Sequence, residues 1–151
     1  MPRMDDDQST EIEQAALRLL ACREHSRGEL RRKLRPRSSD PGLLERVLDA
    51  LEEQHALSDE RFVEQYAESR RRKGFGPLRI RRELGEKGVN KDLVESWLQR
   101  NDQDWWEQLQ RVACSKFGEG QPVDFKERAR RARFLEYRGF APEQIRRFLW
   151  P

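Results

Sequence analysis

The sequence predicts an all-α chain, an elongated tandem array of three-helix repeats whose third repeat is irregular, and three observations carry that expectation. A five-residue phrase occurs three times, as Leu30-Arg31-Arg32-Lys33-Leu34, Ile80-Arg81-Arg82-Glu83-Leu84 and Ile145-Arg146-Arg147-Phe148-Leu149. An internal repeat of this period is a supersecondary unit that buries its apolar face against neighbouring copies. The composition is thin in core-forming residues, with 35% apolar against 39% charged among 151 residues. Its charged set is rich in Arg and Glu, which lose little rotamer freedom in a helix. Finally, helix-start signals precede most of the apolar-periodic runs.

Taken in order, residues 1–9 carry Asp5, Asp6 and Asp7 without apolar periodicity and read as a disordered leader. Thr10 and Glu13 have capping-box spacing and open a helix through Ile12, Ala16, Leu19 and Leu20. Ser26 and Glu29 form a second capping box before the first phrase, and Asp40-Pro41 starts a third helix through Leu44, Val47, Leu48 and Leu51. Residues 10–57 are thus the first repeat. Ser58 caps a helix carrying Phe62, Val63, Tyr66 and Ala67. Gly74-Phe75-Gly76-Pro77 ends it, Pro77 opens the second phrase, and a cap at Asn90 begins a helix through Leu93, Val94, Trp97 and Leu98. This is the second repeat, 58–101. In 102–151 an extra amphipathic helix through Trp105, Trp106, Leu109, Val112, Ala113 and Phe117 comes first. Asp124 then caps a helix ending at Gly139-Phe140-Ala141-Pro142, and the third phrase closes an incomplete repeat.

Charge comes in blocks: −4 over residues 1–14, +6 over 15–39, −7 over 40–69, +7 over 70–91, −4 over 92–107, +1 over 108–122 and +4 over 123–151. Either the blocks line up as basic and acidic faces, or adjacent blocks neutralise one another inside the fold. Cys22 and Cys114 have no CxxC or Cys-His companion, so no disulfide framework is expected. Residues 1–14 are acidic and polar and no apolar run reaches membrane-spanning length, so a soluble, cytoplasmic protein is expected. His25 and His55 lack metal-ligand spacing, and no phosphate-cradling or nucleophile motif occurs. Neither an enzyme nor a cofactor is expected.

In each phrase the aliphatic pair, four residues apart, forms a buried ridge, and the second arginine points about 180° from its middle. Arg32, Arg82 and Arg147 are therefore candidates for partner or DNA contact. Arg71, Arg72 and Arg79 join them, because 70–82 is the most basic surface segment. The alternative is that all six are helix-forming residues on solvated faces. The tryptophans, three of them on apolar helix faces, read as core more than as base-stacking groups.

The run Asp59-x-x-Phe62-Val63-x-x-Tyr66, followed by Arg70, Gly74, Pro77, Ile80, Leu84 and Lys87-Gly88-Val89, resembles the RecX family of bacterial regulatory proteins. Arg133-Phe134-Leu135-x-x-Arg138-Gly139-Phe140 adds to the resemblance, which spans roughly residues 11 to 150. It implies a modulator that binds the RecA filament on single-stranded DNA and inhibits recombination, ATP hydrolysis and SOS coprotease activity; the chain itself is expected to be a monomer. The resemblance transfers no catalytic residues. The rival expectations are a direct DNA-binding helical module and a structural adaptor for another helical partner.

Overall fold

The computed structural model describes residues 4–151, and its described residues contain nine α-helices and no strand. Helices α1 (Met4–Cys22), α2 (Arg27–Leu34) and α3 (Pro41–Glu53) form the first group, with a short 3-10 turn between α2 and α3. The second group is α4 (Asp59–Arg72), α5 (Pro77–Glu86) and α6 (Lys91–Arg100). After a second 3-10 turn come α7 (Trp105–Phe117), α8 (Phe125–Arg138) and α9 (Pro142–Leu149).

Several starts follow the expected capping chemistry. Ser26 Oγ accepts the Glu29 amide at 3.0 Å while the Glu29 carboxylate accepts the Ser26 amide at 3.2 Å. Asp40 accepts from Gly42 at 2.9 Å, Ser58 from Arg61 at 3.2 Å and Asp124 from Glu127 at 2.8 Å, each satisfying an amide that has no intrahelical partner. The first helix differs from expectation. It begins at Met4, so Thr10 lies inside it and its hydroxyl donates back to the Asp6 carbonyl at 3.0 Å. The physical reason is that Asp6 and Asp7 sit in the first turn, where carboxylates are stabilised by the positive end of the helix dipole. Of the expected disordered leader 1–9, residues 4–9 are helical, and 1–3 lie outside the described residues.

The chain divides into two compact units. One runs up to Gln65 and includes Glu86–Asn90; the other comprises Tyr66–Gly85 and Lys91–Pro151. In the first, Ile12, Ala16, Leu30, Leu34, Leu44, Leu48 and Leu51 form a core shared by all three helices. The start of α2 is clamped onto the 86–90 turn: Ser26 Oγ donates to the Lys87 carbonyl at 2.6 Å, and Gly28 lies so close that a Cβ there would stand 2.6 Å from the same oxygen. In the second unit, Leu109 and Ala113 of α7 join Leu135, Phe140, Ile145 and Leu149 in one core, so α7 packs on both α8 and α9. Trp97 and Trp105 are buried edge to face, 6.1 Å between ring centroids.

Two loops are fastened side by side in this second unit. The Gly76 amide donates to the Arg138 carbonyl at 2.8 Å and the Leu78 amide to the Gly139 carbonyl at 2.9 Å. Gly76 approaches Gly139 so closely that a Cβ would come within 2.5 Å of its oxygen. The Gly-Phe-Gly-Pro and Gly-Phe-Ala-Pro breaks are thus one backbone-paired joint.

Candidate interaction surface

The three phrases behave as ridges: Leu30, Leu34, Ile80, Leu84, Ile145 and Leu149 are all buried. The first arginine of the phrase has a recurrent partner. Arg31 makes a bidentate pair with Glu45, at 2.5 and 3.2 Å, and Arg81 makes the same pair with Glu95, at 2.6 and 3.2 Å. Each glutamate lies on the helix that follows, 14 residues on, and the arginine fork fits the carboxylate plane. These pairs neutralise basic blocks with the acidic blocks after them.

The second arginines are exposed, as the helical geometry requires. Arg32 donates to the Glu86 carbonyl, and Arg147 lies over the Trp106 ring with its guanidinium carbon 4.2 Å from the centroid. Arg82 is exposed on α5.

At the joint, Phe75 is surrounded by three guanidinium groups, those of Arg70 at 3.9 Å, Arg79 at 4.4 Å and Arg138 at 4.9 Å. Arg70 also makes two 2.8 Å bonds to Glu83. Burial alone would raise the Glu83 pKa, but Arg70 and then Arg79 hold it below the ordinary carboxylate range. Arg79 further covers Tyr137 at 4.8 Å and donates to its carbonyl at 3.3 Å, leaving its side chain 16% exposed. Arg79 is therefore committed to packing.

Beside this joint, α4, α7 and α8 enclose an open cleft of about 680 Å³. Six cations line it, Arg71, Arg72, Lys73, Arg111, Lys116 and Arg138, against three carboxylates, Glu68, Asp104 and Glu107. Arg71 is held by Glu68 at 2.9 Å and Asp104 at 3.0 Å, which raise its pKa further, with Glu68 the stronger cause. Arg138 donates to the Lys73 carbonyl at 2.8 Å. Arg72 projects outward with its side chain 76% exposed, and Lys73 is exposed beside it. Phe134 contributes the aromatic part of the wall.

Of the six candidates named from the sequence, the structure brings Arg71 and Arg72 together at this cleft. Arg79 goes to the joint, Arg82 to the outer face of α5, Arg147 to α9 against α7, and Arg32 to the other unit. Lys73, Arg111, Lys116 and Arg138 complete the cleft and were not singled out. Lys73 sits in the basic run already noted, whereas the other three come from helices 38 to 65 residues downstream and meet it only through folding.

Among the described residues no three His, Cys, Asp or Glu side chains gather as a metal site, and no helix is long and apolar enough to cross a membrane. Cys22 and Cys114 are free, exposed thiols.

Comparison with known proteins places this architecture. Three family models match in order: the RecX first three-helix domain over residues 14–51, the second over 58–98 and the third over 102–149. The third match takes in α7 together with α8 and α9. A protein of Pseudomonas syringae pv. tomato named Regulatory protein RecX is 46% identical over 95% of this chain and 92% of its own length. One of the same name from Halorhodospira halophila is 44% identical over 91% and 86%. The crystal structure of RecX from Lactobacillus salivarius has the same fold, with a TM-score of 0.79 at 19% identity over 95% of both chains. With the helical groups matched in sequence order and close relatives spanning nearly the whole length, the chain belongs to the RecX family of regulatory proteins.

Proposed function

We propose that this chain regulates the RecA recombinase, binding its filament on single-stranded DNA and inhibiting recombination, ATP hydrolysis and SOS coprotease activity. It acts in the cytoplasm as a monomer, without catalysis of its own. The observation that carries the reading is membership of a family whose curated relatives, matched over nearly their whole length, are named regulatory proteins. The cleft between α4, α7 and α8 supports it, since a surplus of cations around an aromatic wall suits an acidic macromolecular surface. A regulator of this kind reduces RecA-dependent ATP hydrolysis on single-stranded DNA when added at stoichiometric amounts. Unchanged hydrolysis at that ratio sinks the reading.

The cleft also favours a second reading, direct binding of DNA through phosphate contacts. Naked DNA separates the two. Tight binding that weakens steeply with salt, in the absence of RecA, supports the second; weak binding to DNA beside tight binding to the filament supports the first.

A further inference from the structure

The outward face of α8 carries a pattern that neither the core nor the α4–α7–α8 cleft uses. Lys126, Arg130, Arg133 and Tyr137 follow one another at steps of four, three and four residues, and all four are exposed. At about 100° per residue they fall within an arc of about 60°, on the side of the helix opposite the buried Leu135, and run along about 16 Å of its axis.

Helix stability does not account for these cations. Lys126 stands in the first turn, where the positive end of the helix dipole disfavours it, and the Lys126–Arg130 and Arg130–Arg133 spacings set like charges side by side. Among the described residues neither Lys126 nor Arg133 pairs with a carboxylate. Arg130 shares Glu127 with Arg131, at 2.7 and 3.2 Å, and still keeps its side chain 57% exposed. Glu127 and Glu136, the carboxylates of α8, lie about 90° to either side, so the stripe itself carries no acid.

Tyr137 ends the row with its ring supported from one side. The Arg79 guanidinium lies 4.8 Å from the ring centroid and is itself held by Phe75 at 4.4 Å and Glu83 at 3.5 Å. Tyr137 is nonetheless 70% exposed, which leaves the ring face away from Arg79 to water. An aromatic surface fixed from behind by a cation is a platform on which a base can stack.

We propose that the outer face of α8 is a track for single-stranded DNA, with Lys126, Arg130 and Arg133 on its phosphates and an unpaired base on Tyr137. The inference rests on the direct-DNA reading and gives it a strand class and a place beyond the cleft. Charge complementarity selects a polyanion, and the exposed ring selects among polyanions. Duplex bases are already stacked on one another, and an acidic polypeptide has no base to offer.

The test titrates labelled oligothymidylate, a duplex of equal length and labelled polyglutamate with the full chain, read by fluorescence anisotropy over a range of salt. Replacing Lys126, Arg130 and Arg133 together by Gln flattens the logarithmic salt slope for oligothymidylate by about 2, at about 0.7 per phosphate. Thermal unfolding stays close to that of the native chain, because none of the three belongs to the buried core. Tyr137→Ala weakens oligothymidylate binding about five- to hundredfold and duplex binding by less than about twofold, whereas Tyr137→Phe keeps the single-strand affinity. An iododeoxyuridine oligonucleotide crosslinks to Tyr137 under ultraviolet light, as mass spectrometry of the digested chain reads out. An unchanged slope in the triple variant, equal losses for single strand and duplex in Tyr137→Ala, or polyglutamate bound as tightly as oligothymidylate overturns the proposal. So does oligouridylate bound more tightly than oligothymidylate. Oligothymidylate binding that responds to Arg72, Lys73 and Lys116 alone overturns the α8 track and leaves the direct-DNA reading standing, whereas no binding to any DNA at low salt overturns both.

Discussion

His25 is 2% exposed, and its two ring nitrogens are used in opposite senses. Nδ1 lies 3.1 Å from the Arg23 carbonyl and Nε2 3.0 Å from the Lys33 ammonium, an arrangement that fits a neutral ring donating to the carbonyl and accepting from the lysine. Protonation would turn the second contact from attraction to repulsion. Burial first, then the Arg23 and Lys33 charges, lower its pKa below the ordinary 6.5; the bond to the Arg23 carbonyl and the nearby Glu29 oppose them without winning. Because the unfolded chain protonates at the higher pKa, stability is lost as pH falls below about 6.5. Urea unfolding at pH 7.5 and 5.5 is the measurement: the midpoint is lower at pH 5.5, and His25→Gln shrinks the difference. A pH-independent midpoint in the native chain would contradict the assignment. Glu29 acts lower on the scale. Burial works against its ionisation, but Arg23, the Ser26 amide and Lys87 hold it at about 2, so its contribution disappears as pH falls from about 4.5 toward 2.

At the scale of the element, two glycines separate what a joint requires from what a helix merely tolerates. Gly76 has no room for a side chain, with the Gly139 carbonyl 2.5 Å from where its Cβ would be, whereas a Cβ on Gly85 in α5 meets nothing within 4 Å. Gly76→Ala therefore forces the paired loops apart and destabilises by roughly 1–3 kcal/mol, the usual range for overpacking. Gly85→Ala stabilises by about 0.5–1 kcal/mol through helix propensity and a less free unfolded chain. Thermal unfolding of the two variants should move in opposite directions, and a shared direction would show that the joint yields. The glycine-proline breaks were legible as loop signals because turn chemistry is local, and the caps at Ser26, Asp40 and Asp124 were legible for the same reason. Thr10 misled because a Ser/Thr–x–x–Glu spacing inside a helix looks identical until the carboxylates before it are weighed. That the two breaks pair, and that Phe75 gathers Arg70, Arg79 and Arg138, depends on residues up to 68 positions apart in sequence, which no periodicity records.

Across the whole molecule, the alternation of charge resolves largely into neutralisation between neighbours. Arg27 reaches Glu45, Asp49 and Glu52, Arg31 reaches Glu45, Arg81 reaches Glu95 and Arg71 reaches Asp104, each joining a basic block to the acidic block after it. What remains after these pairings is more telling than the formal +3. Arg72, Lys73 and Lys116 stay exposed around the α4–α7–α8 cleft; among the described residues their side chains make only a 3.8 Å contact from Arg72 to Glu68 and a Lys116 contact to the Phe134 ring. Exposed cations so weakly paired are available to a polyanion. If they meet phosphates, each contact releases bound counterions, at roughly 0.7 in the logarithmic salt slope per phosphate on a single strand. Replacing Arg72, Lys73 and Lys116 together by Gln is then expected to flatten the salt dependence of oligothymidylate binding by about 2, alongside a loss of affinity at low salt. Because none of the three belongs to the buried core, thermal unfolding should stay close to that of the native chain. An unchanged slope would show that these side chains are solvated helix residues, and would leave an acidic protein surface as the cleft's remaining occupant.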